Sequence, residues 1–356
     1  ETLTIVTSNC GSPVERMGKE KMRSLFSDLE ENFGVVHDDP FLRNITYSVE
    51  LGRFCIIDFE LAQVLDLPSC REACRLDVRW EGASEAGTRK ERNEDALAAF
   101  SSSGGWAQEQ KLSGCLDLEE EGIVFVVSDG MGGAKGGAEA SRLVVSELRR
   151  FLPGRMGEFR DHPDPPSVLQ AAVMDLQDHV LRVGKANAEW EGMGATMVAG
   201  LLDHSHLWFA HVGDSRLYCY RQGELTQLTH DHSMVGRAFR EGKINEREAR
   251  THPQRHVLNR IIGARGLHTT PQIGSLVVEP GDYFLFCSDG LIDGLWDKHI
   301  KGAFDQHEAN EDPEKQLSQL LSSLVDKAVE EAGRDDTTAF VLHCSDHDCG
   351  EEEDRQ

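Results

Sequence analysis

The stretch that most constrains this chain is Val124–Ser141, VFVVSDGMGGAKGGAEAS. Its opening run of β-branched and aromatic residues reads as a buried strand, stopped abruptly at Asp129-Gly130 before a loop with Gly130, Gly132, Gly133, Gly136 and Gly137. A carboxylate therefore stands at a strand end, among residues whose missing Cβ atoms let other backbone or a ligand come close. The Gly130 carbonyl is a second candidate oxygen for a hard cation. Alone, the stretch fits a solvated glycine turn as well as the start of a metal site. The rest of the chain has to decide.

The 356 residues suffice for one large domain or two, with the composition of an ordinary globular protein. A formal net charge of -25 makes a field that repels nucleic acid and anionic membranes, so neither is expected as a partner. An anionic substrate would need cations supplied. No run approaches a spanning helix, and ETLTIVTSNC lacks the basic start and apolar core of a signal peptide. The nine cysteines are an odd number, several inside apolar runs, which favours reduced thiols and a cytoplasmic protein. Cys70 and Cys74 form a C-x3-C with no second pair, and no zinc knuckle is expected there.

Met22, Leu25, Phe26, Leu29 and Phe33 fall at helical steps, predicting an amphipathic helix within 14–33 that Gly34 ends. Between residues 34 and 63, His37, Asp39 and Asn44 keep the spacing H-x-D-x4-N, and Asp58-Phe59 follow an apolar run. This resembles the catalytic loop and metal-binding Asp-Phe of protein kinases. No glycine-rich loop or strand lysine precedes it, Glu60 stands in place of the family's Gly, and no activation segment follows, so kinase activity is not expected. Residues 1–70 read as a kinase-like remnant, a helix plus hairpin, or a docking extension.

From about residue 77 the texture changes to short strands separated by glycine turns, of which Arg221-Gln222-Gly223 is the clearest hairpin signal. Amphipathic helices are predicted over 138–152, after Pro165-Pro166, and around Leu317–Leu324. Two groups of strands with such helices between and after them predict an α+β fold of two antiparallel sheets covered by helices. Residues 345–356 form an acidic tail expected to be disordered.

Acids recur where apolar strands meet loops. Glu94-Asp95 precede ALAAF, Asp129 ends VFVVS, Asp214 follows FAHVG, Asp289 ends YFLFCS with Asp293 four further on, and Asp335-Asp336 precede TTAFVLHC. Several acids converging in one cleft repel unless cations lie between them, and all-oxygen ligands favour Mg²⁺ or Mn²⁺ over zinc. A strand-end turn accounts for any one of them, but poorly for the set.

These residues resemble the metal-dependent protein phosphatases of the PPM or 2C type. The motifs run in order: G-x5-N-E-D at 87–95, SDGMGG at 128–133, EAS at 139–141, MGAT at 193–196, HVGDSR at 211–216, LTHDHS at 228–233, CSDGL at 287–291 and RDDTT at 334–338. They cover 77–344, and the Met of SDGMGG makes them similar to the bacterial branch. The resemblance implies an α-β-β-α sandwich whose cleft holds two Mn²⁺ or Mg²⁺ ions, with a third possible. Asp95, Asp129, Asp289 and Asp335 match the family's ligand aspartates, Gly130 its carbonyl ligand, and Glu94 the acid that holds metal-bound water. Asp214 and Asp293, with Asp289, match its weaker third site. It also implies that a metal-activated water attacks the phosphorus of a phosphoserine or phosphothreonine in a protein substrate.

Three departures stand out. Met131 replaces a His proposed in many eukaryotic members as general acid, Asp336 replaces the commoner Asn and adds charge beside the metals, and Lys90 occupies the place of the phosphate-binding Arg. Residues 233–260 fall at the family's variable flap and are rich in Arg, Lys and His, which fits a solvated face or a substrate-docking surface. The other histidines read as surface or hydrogen-bonded residues. The resulting expectation is a monomeric metal-dependent phosphoprotein phosphatase, the rival being a catalytically weak phosphoprotein-binding protein.

Overall fold

The computed structural model describes residues 75–88, 90, 92–103, 106–131, 136–152, 165–263, 269–308 and 313–347, together with five short strands before residue 65. The chain divides into two units, Glu1–Ala73 and Cys74–Gln356. In the first, Ile45–Ser48 pairs antiparallel with Arg53–Ile56 and with Ser12–Pro13, and Val35–His37 pairs with Ala62–Val64. His37 ends one of these strands; the predicted helix within 14–33, Asp39, Asn44 and Asp58 lie outside the described residues.

The second unit holds two six-stranded antiparallel sheets. The first runs in the order β12-β9-β8-β5-β2-β3, where β2 is Ala96–Ser103, β3 Trp106–Glu109, β5 Gly122–Ser128, β8 Met197–Asp203, β9 His206–Val212 and β12 Gln272–Val277. The second runs β11-β10-β13-β14-β1-β4, where β1 is Leu76–Glu85, β4 Ser113–Asp117, β10 Arg216–Arg221, β11 Glu224–Gln227, β13 Tyr283–Cys287 and β14 Thr337–Asp346. A two-stranded ladder joins β6 (Gly130–Met131) to β7 (Gly194–Ala195).

Strand alternation explains the layers, since successive side chains point to opposite faces. In β5, Ile123, Phe125 and Val127 enter the core between the sheets, while Val124 and Val126 meet α1 (Gly136–Phe151) and α2 (Pro165–Ala186). In β13, Phe284 and Phe286 enter the same inter-sheet core, while Tyr283, Leu285 and Cys287 meet α5 (Asp289–Gly294), α6 (Asp297–Glu308) and α7 (Pro313–Ala332). Phe125 packs edge-on to Phe340 at 5.4 Å and tilted to Phe286 at 6.2 Å across that core. This is the expected α-β-β-α sandwich. Two short helices, α3 (Met234–Arg240) and α4 (Glu246–Thr251), form the flap. The expected hairpin closes β10 onto β11, with Gln222 and Gly223 at φ 50° and 77° as a two-residue turn of this hand requires.

Candidate active site

Ladder register brings the acids to one rim. Ser128 at the end of β5 pairs with Ala96 at the start of β2, and Val127 pairs with Val198, so Asp129 and Asp95 leave the sheet at the same edge. Met197 pairs with Val212, which puts Asp214 there too. In the other sheet Cys287 pairs with both Arg216 and Ala339, which delivers Asp289 and Asp335 to the corresponding edge.

Asp129 and Asp289 follow wholly buried strands, and the cost shows in their titration. Burial raises the Asp129 carboxyl well above its usual range, and the charges of Asp289, Asp95 and Asp214 raise it further. Burial also raises Asp95, to about 7, with Asp289 adding to the shift against hydrogen bonds from Thr338 and Ser288. Asp214 is raised by burial and then by Asp289 and Asp231. Asp289 is raised by burial and by Asp335 and Asp293, against the opposing pull of the His256 imidazole 3.8 Å away. Asp95 Oδ1 and Asp289 Oδ1 are buried without a hydrogen-bond partner among the described residues. Unpartnered buried carboxylate oxygens are costly, and an all-oxygen set of this kind suits hard divalent cations.

The surrounding hydroxyls hold the acids in place. Ser288, at the N-cap position of α5, makes no capping bond; its Oγ instead donates to Asp95 Oδ2 at 2.7 Å and accepts from Thr338 N at 3.0 Å. Thr196 Oγ1 accepts from Asp129 N at 2.9 Å and shares a hydrogen with Ser215 Oγ at 2.7 Å, so one buried hydroxyl connects the turns that carry Asp129 and Asp214. Gly213, at φ 111°, backs onto Thr196 so closely that a Cβ would stand 2.7 Å from the Thr196 side chain. The glycine loop has an equivalent reason: a Cβ on Gly137 would stand 2.9 Å from Glu94 Oε1, and one on Gly130 would collide with the Gly137 carbonyl.

Lys90 Nζ lies 2.6 Å from Asp335 Oδ1, 3.3 Å from Glu94 Oε2 and 3.4 Å from Asp336 Oδ2. Burial works against its charge, but Asp335, by hydrogen bond and by charge, followed by Asp129 and Asp336, raises its pKa well above that of an ordinary lysine. Asp336 departs from the sequence reading. Its carboxylate accepts the Gly87 N–H at 2.8 Å and the Glu94 N–H at 2.7 Å, so it staples the 87–94 loop down as well as adding charge. Asp293 lines the same cavity as Asp214 and Asp289 and pairs with Arg255 at 3.6 Å.

Of two buried histidines, His211 departs from the reading as surface or hydrogen-bonded, and His232 agrees with it. His211 is fully buried, with neither ring nitrogen hydrogen-bonded among the described residues, and burial lowers its pKa to about 4. It lies 4.7 Å from the ring of His232. His232 Nδ1 accepts from Gly213 N at 3.1 Å while the His232 backbone N–H donates to Gly213 O at 2.7 Å; burial, His211 and nearby arginines hold the ring neutral, with a pKa of about 2. Its carbonyl accepts from Asn259 N at 2.9 Å, and Ser233 bridges Leu258, so His232 ties both ends of the flap to the turn before Asp214. The available signal was the place of both histidines inside ordered motifs at strand ends.

The sequence model described as protein phosphatase 2C matches residues 88–322, more than half of the chain. A putative protein phosphatase 2C-type of Streptococcus pyogenes is 30% identical over 230 residues, which are 64% of this chain and 89% of that protein. The serine/threonine protein phosphatase PstP of Mycobacterium tuberculosis is 33% identical over 228 residues, and there the match spans 64% of this chain but only 41% of the relative. Among solved structures, the catalytic domain of PstP in complex with two manganese ions superposes with a TM-score of 0.59 at 28% identity, covering 76% of this chain and all of that one. None of these matches supports the kinase-like reading of residues 34–63. Asp335 lies beyond the matched segment, and it is the fold itself that brings it to Lys90 and Asp289. The chain belongs to the protein phosphatase 2C family.

Proposed function

We propose that the chain is a Mn²⁺- or Mg²⁺-dependent phosphatase of phosphoserine and phosphothreonine in proteins. The observation that carries this is the rim of buried, mutually repelling carboxylates with unpartnered oxygens at Asp95 and Asp289. Asp95, Asp129, Asp289, Asp335 and the Gly130 carbonyl would hold two ions with Glu94 beside them, and Asp214, Asp289 and Asp293 a third. Divalent ions held there would neutralise phosphate charge and lower the pKa of water enough for it to act as a nucleophile near neutral pH.

The chain's own residues do the rest. Ser288 and Thr196 fix the carboxylates, and Asp336 fixes the loop that presents Lys90. The Lys90 ammonium at the edge of the acids is the contact for a substrate phosphate oxygen. Met131 carries no transferable proton; His256, 3.8 Å from Asp289 and favoured in its charged form by that acid, is the side chain placed to protonate the leaving oxygen. Residues 1–70 we read as a docking extension, since no match supports nucleotide chemistry at residues 34–63. Hydrolysis of p-nitrophenyl phosphate with and without Mn²⁺ tests the proposal. Turnover that needs Mn²⁺ and is lost in Asp289→Asn is expected, and its absence in folded protein would leave only a binding role.

A further inference from the structure

The flap, residues 233–260, carries seven Arg and Lys against three Glu in a chain whose formal charge is -25. Its three acids are all engaged within the flap. Glu241 pairs with Lys243 at 2.5 Å, Glu246 pairs with Arg250 at 3.0 Å, and Glu248 accepts the Asn245 N–H at 2.8 Å in the capping box of α4. Two cations are structural. Arg250 donates to the Ile292 and Leu295 carbonyls and lies 4.9 Å over the Trp296 ring, and Arg260 donates to the Thr270 carbonyl at 2.8 Å. Arg237, Arg240 and Arg247 remain exposed, Arg240 with one N–H donated to the Asp231 carbonyl at 3.2 Å, and among the described residues no carboxylate lies within ion-pair distance of any of them. Burial lowers the Arg240 pKa, Asp231 and Glu241 oppose the shift and the charges of Arg237 and Arg260 add to it, while His230 is pushed down by burial and then by Arg240.

The placement of the flap gives this charge a use. Phe239, Ala249, Arg250 and His256 line a cavity of about 80 Å³ together with Asp214 and Asp289, so the inner side of α3 and α4 faces the acids, while the exposed Arg237, Arg240 and Arg247 take no part in that lining. We infer that the outer face of the flap, through Arg237, Arg240 and Arg247, docks acidic residues that flank the phosphorylated Ser or Thr of a protein substrate. The inference rests on the phosphatase reading and narrows its substrate class. An extended peptide advances about 3.3 Å per residue, so acids within a few positions of the phosphorylated residue can reach the flap. Screening confines exposed charges to about 8 Å at physiological salt, so such a segment meets the local positive charge rather than the negative whole. A long polyanion would also meet the acidic remainder of the surface.

The test uses the full chain with Mn²⁺, p-nitrophenyl phosphate, and two phosphothreonine peptides differing only in Asp/Glu or Lys/Arg flanks. For the native chain, kcat/KM on the acidic peptide should exceed that on the basic one by about fivefold, a preference that 0.5 M NaCl weakens. In R237E/R247E the preference should vanish or reverse while p-nitrophenyl phosphate turnover is unchanged, and R237Q/R247Q should show the intermediate result if charge reversal impairs folding. Equal kcat/KM on the two peptides, or a preference that survives R237E/R247E, overturns the inference and leaves the phosphatase reading intact. No Mn²⁺-dependent turnover of p-nitrophenyl phosphate by the native chain overturns both.

Discussion

The middle of the sheet sandwich and its rim are built from the same strands and are opposite in energetic character. Between the sheets, Phe125, Phe286 and Phe340 are fully buried against one another, and each aromatic face removes apolar area from water. A few residues along the same strands, Asp129, Asp289 and Asp335 crowd together with raised pKa values at the first two and oxygens left unpartnered at Asp289 and Asp95. The strands thus carry their stabilising contacts in mid-length and their repulsion at the ends. A rigid apolar interior holds the acids together, and on the proposed function they would cost stability until cations bind.

The sharpest break of this comparison pairs Phe286→Ala with Asp289→Asn. The first should cost about 3–5 kcal/mol of stability, as a large buried ring is lost between packed sheets. Asp289→Asn should reduce Mn²⁺-dependent turnover at least about a thousandfold, yet raise or leave unchanged the melting temperature of the metal-free protein, because one repelling charge is gone. Calorimetric melts and p-nitrophenyl phosphate kinetics on both variants check this. A metal-free Asp289→Asn that melts well below the native chain would mean that the rim is not under electrostatic stress.

The next effect is on pH. Asp95 titrates at about 7 in the folded chain against about 3.9 when unfolded, so between those values the folded state binds more protons than the unfolded one. Stability of the metal-free protein should therefore fall as pH rises from about 4 to 7. Asp129, Asp214 and Asp289, shifted in the same direction, reinforce the trend. Saturating Mn²⁺ should raise the melting temperature by roughly 5–10 °C at pH 7 and by less at pH 5, where protons compete for the same oxygens. A metal-free protein that grows steadily more stable from pH 4 to 7 would contradict the assignment.

Thr196 tests how the rim is held together. Val has nearly the shape of Thr but no hydroxyl, so Thr196→Val should leave the Asp129 N–H unsatisfied at a cost of about 1–3 kcal/mol and loosen the link to Ser215 beside Asp214. Thr196→Ser keeps the hydroxyl. We expect the Mn²⁺ concentration for half-maximal activity to rise in the Val variant and to return near the native value in the Ser variant. Calorimetric titration with Mn²⁺ should give the same order, and equal behaviour of the two variants would reduce Thr196 to a packing role.

How much of this was legible in the sequence follows from the range of the interactions. Strand alternation and the acids at apolar-strand ends are local patterns, so two covered sheets and the residues at their edges could be read directly. The staple from Asp336 to the Gly87 and Glu94 amides spans 249 and 242 residues, and no periodicity signals it. The hydroxyl of Thr196 acts on Asp129 and Ser215, 67 and 19 residues away, and the imidazole of His232 on Gly213, 19 away, all brought near by strand pairing. Their motifs marked them as unusual without saying what they touch. The basic flap looked uniform in sequence, and only the fold separates Arg250, fastened to two carbonyls, from Arg237 and Arg247 in the open.

The smallest expected effect concerns Lys90, the one cation among these acids that the chain itself supplies in the 87–94 loop's described residues. Two roles compete for it. As a phosphate contact it acts on the substrate dianion, whose charge is present in the ground state as well as the transition state, so Lys90→Ala should raise KM about tenfold with a smaller change in kcat. As a counter-ion it relieves Asp335, Glu94 and Asp336, and its removal should lower the metal-free melting temperature and lower the Mn²⁺ requirement, since a competing cation has gone. Lys90→Arg separates the two: a planar guanidinium can take two phosphate oxygens at once and should lower KM, but it keeps the positive charge and should leave the metal-free melt nearly unchanged. If Lys90→Ala leaves KM within about twofold of native while shifting the Mn²⁺ requirement, the ammonium belongs to the rim's charge balance and the phosphate contact must be sought elsewhere.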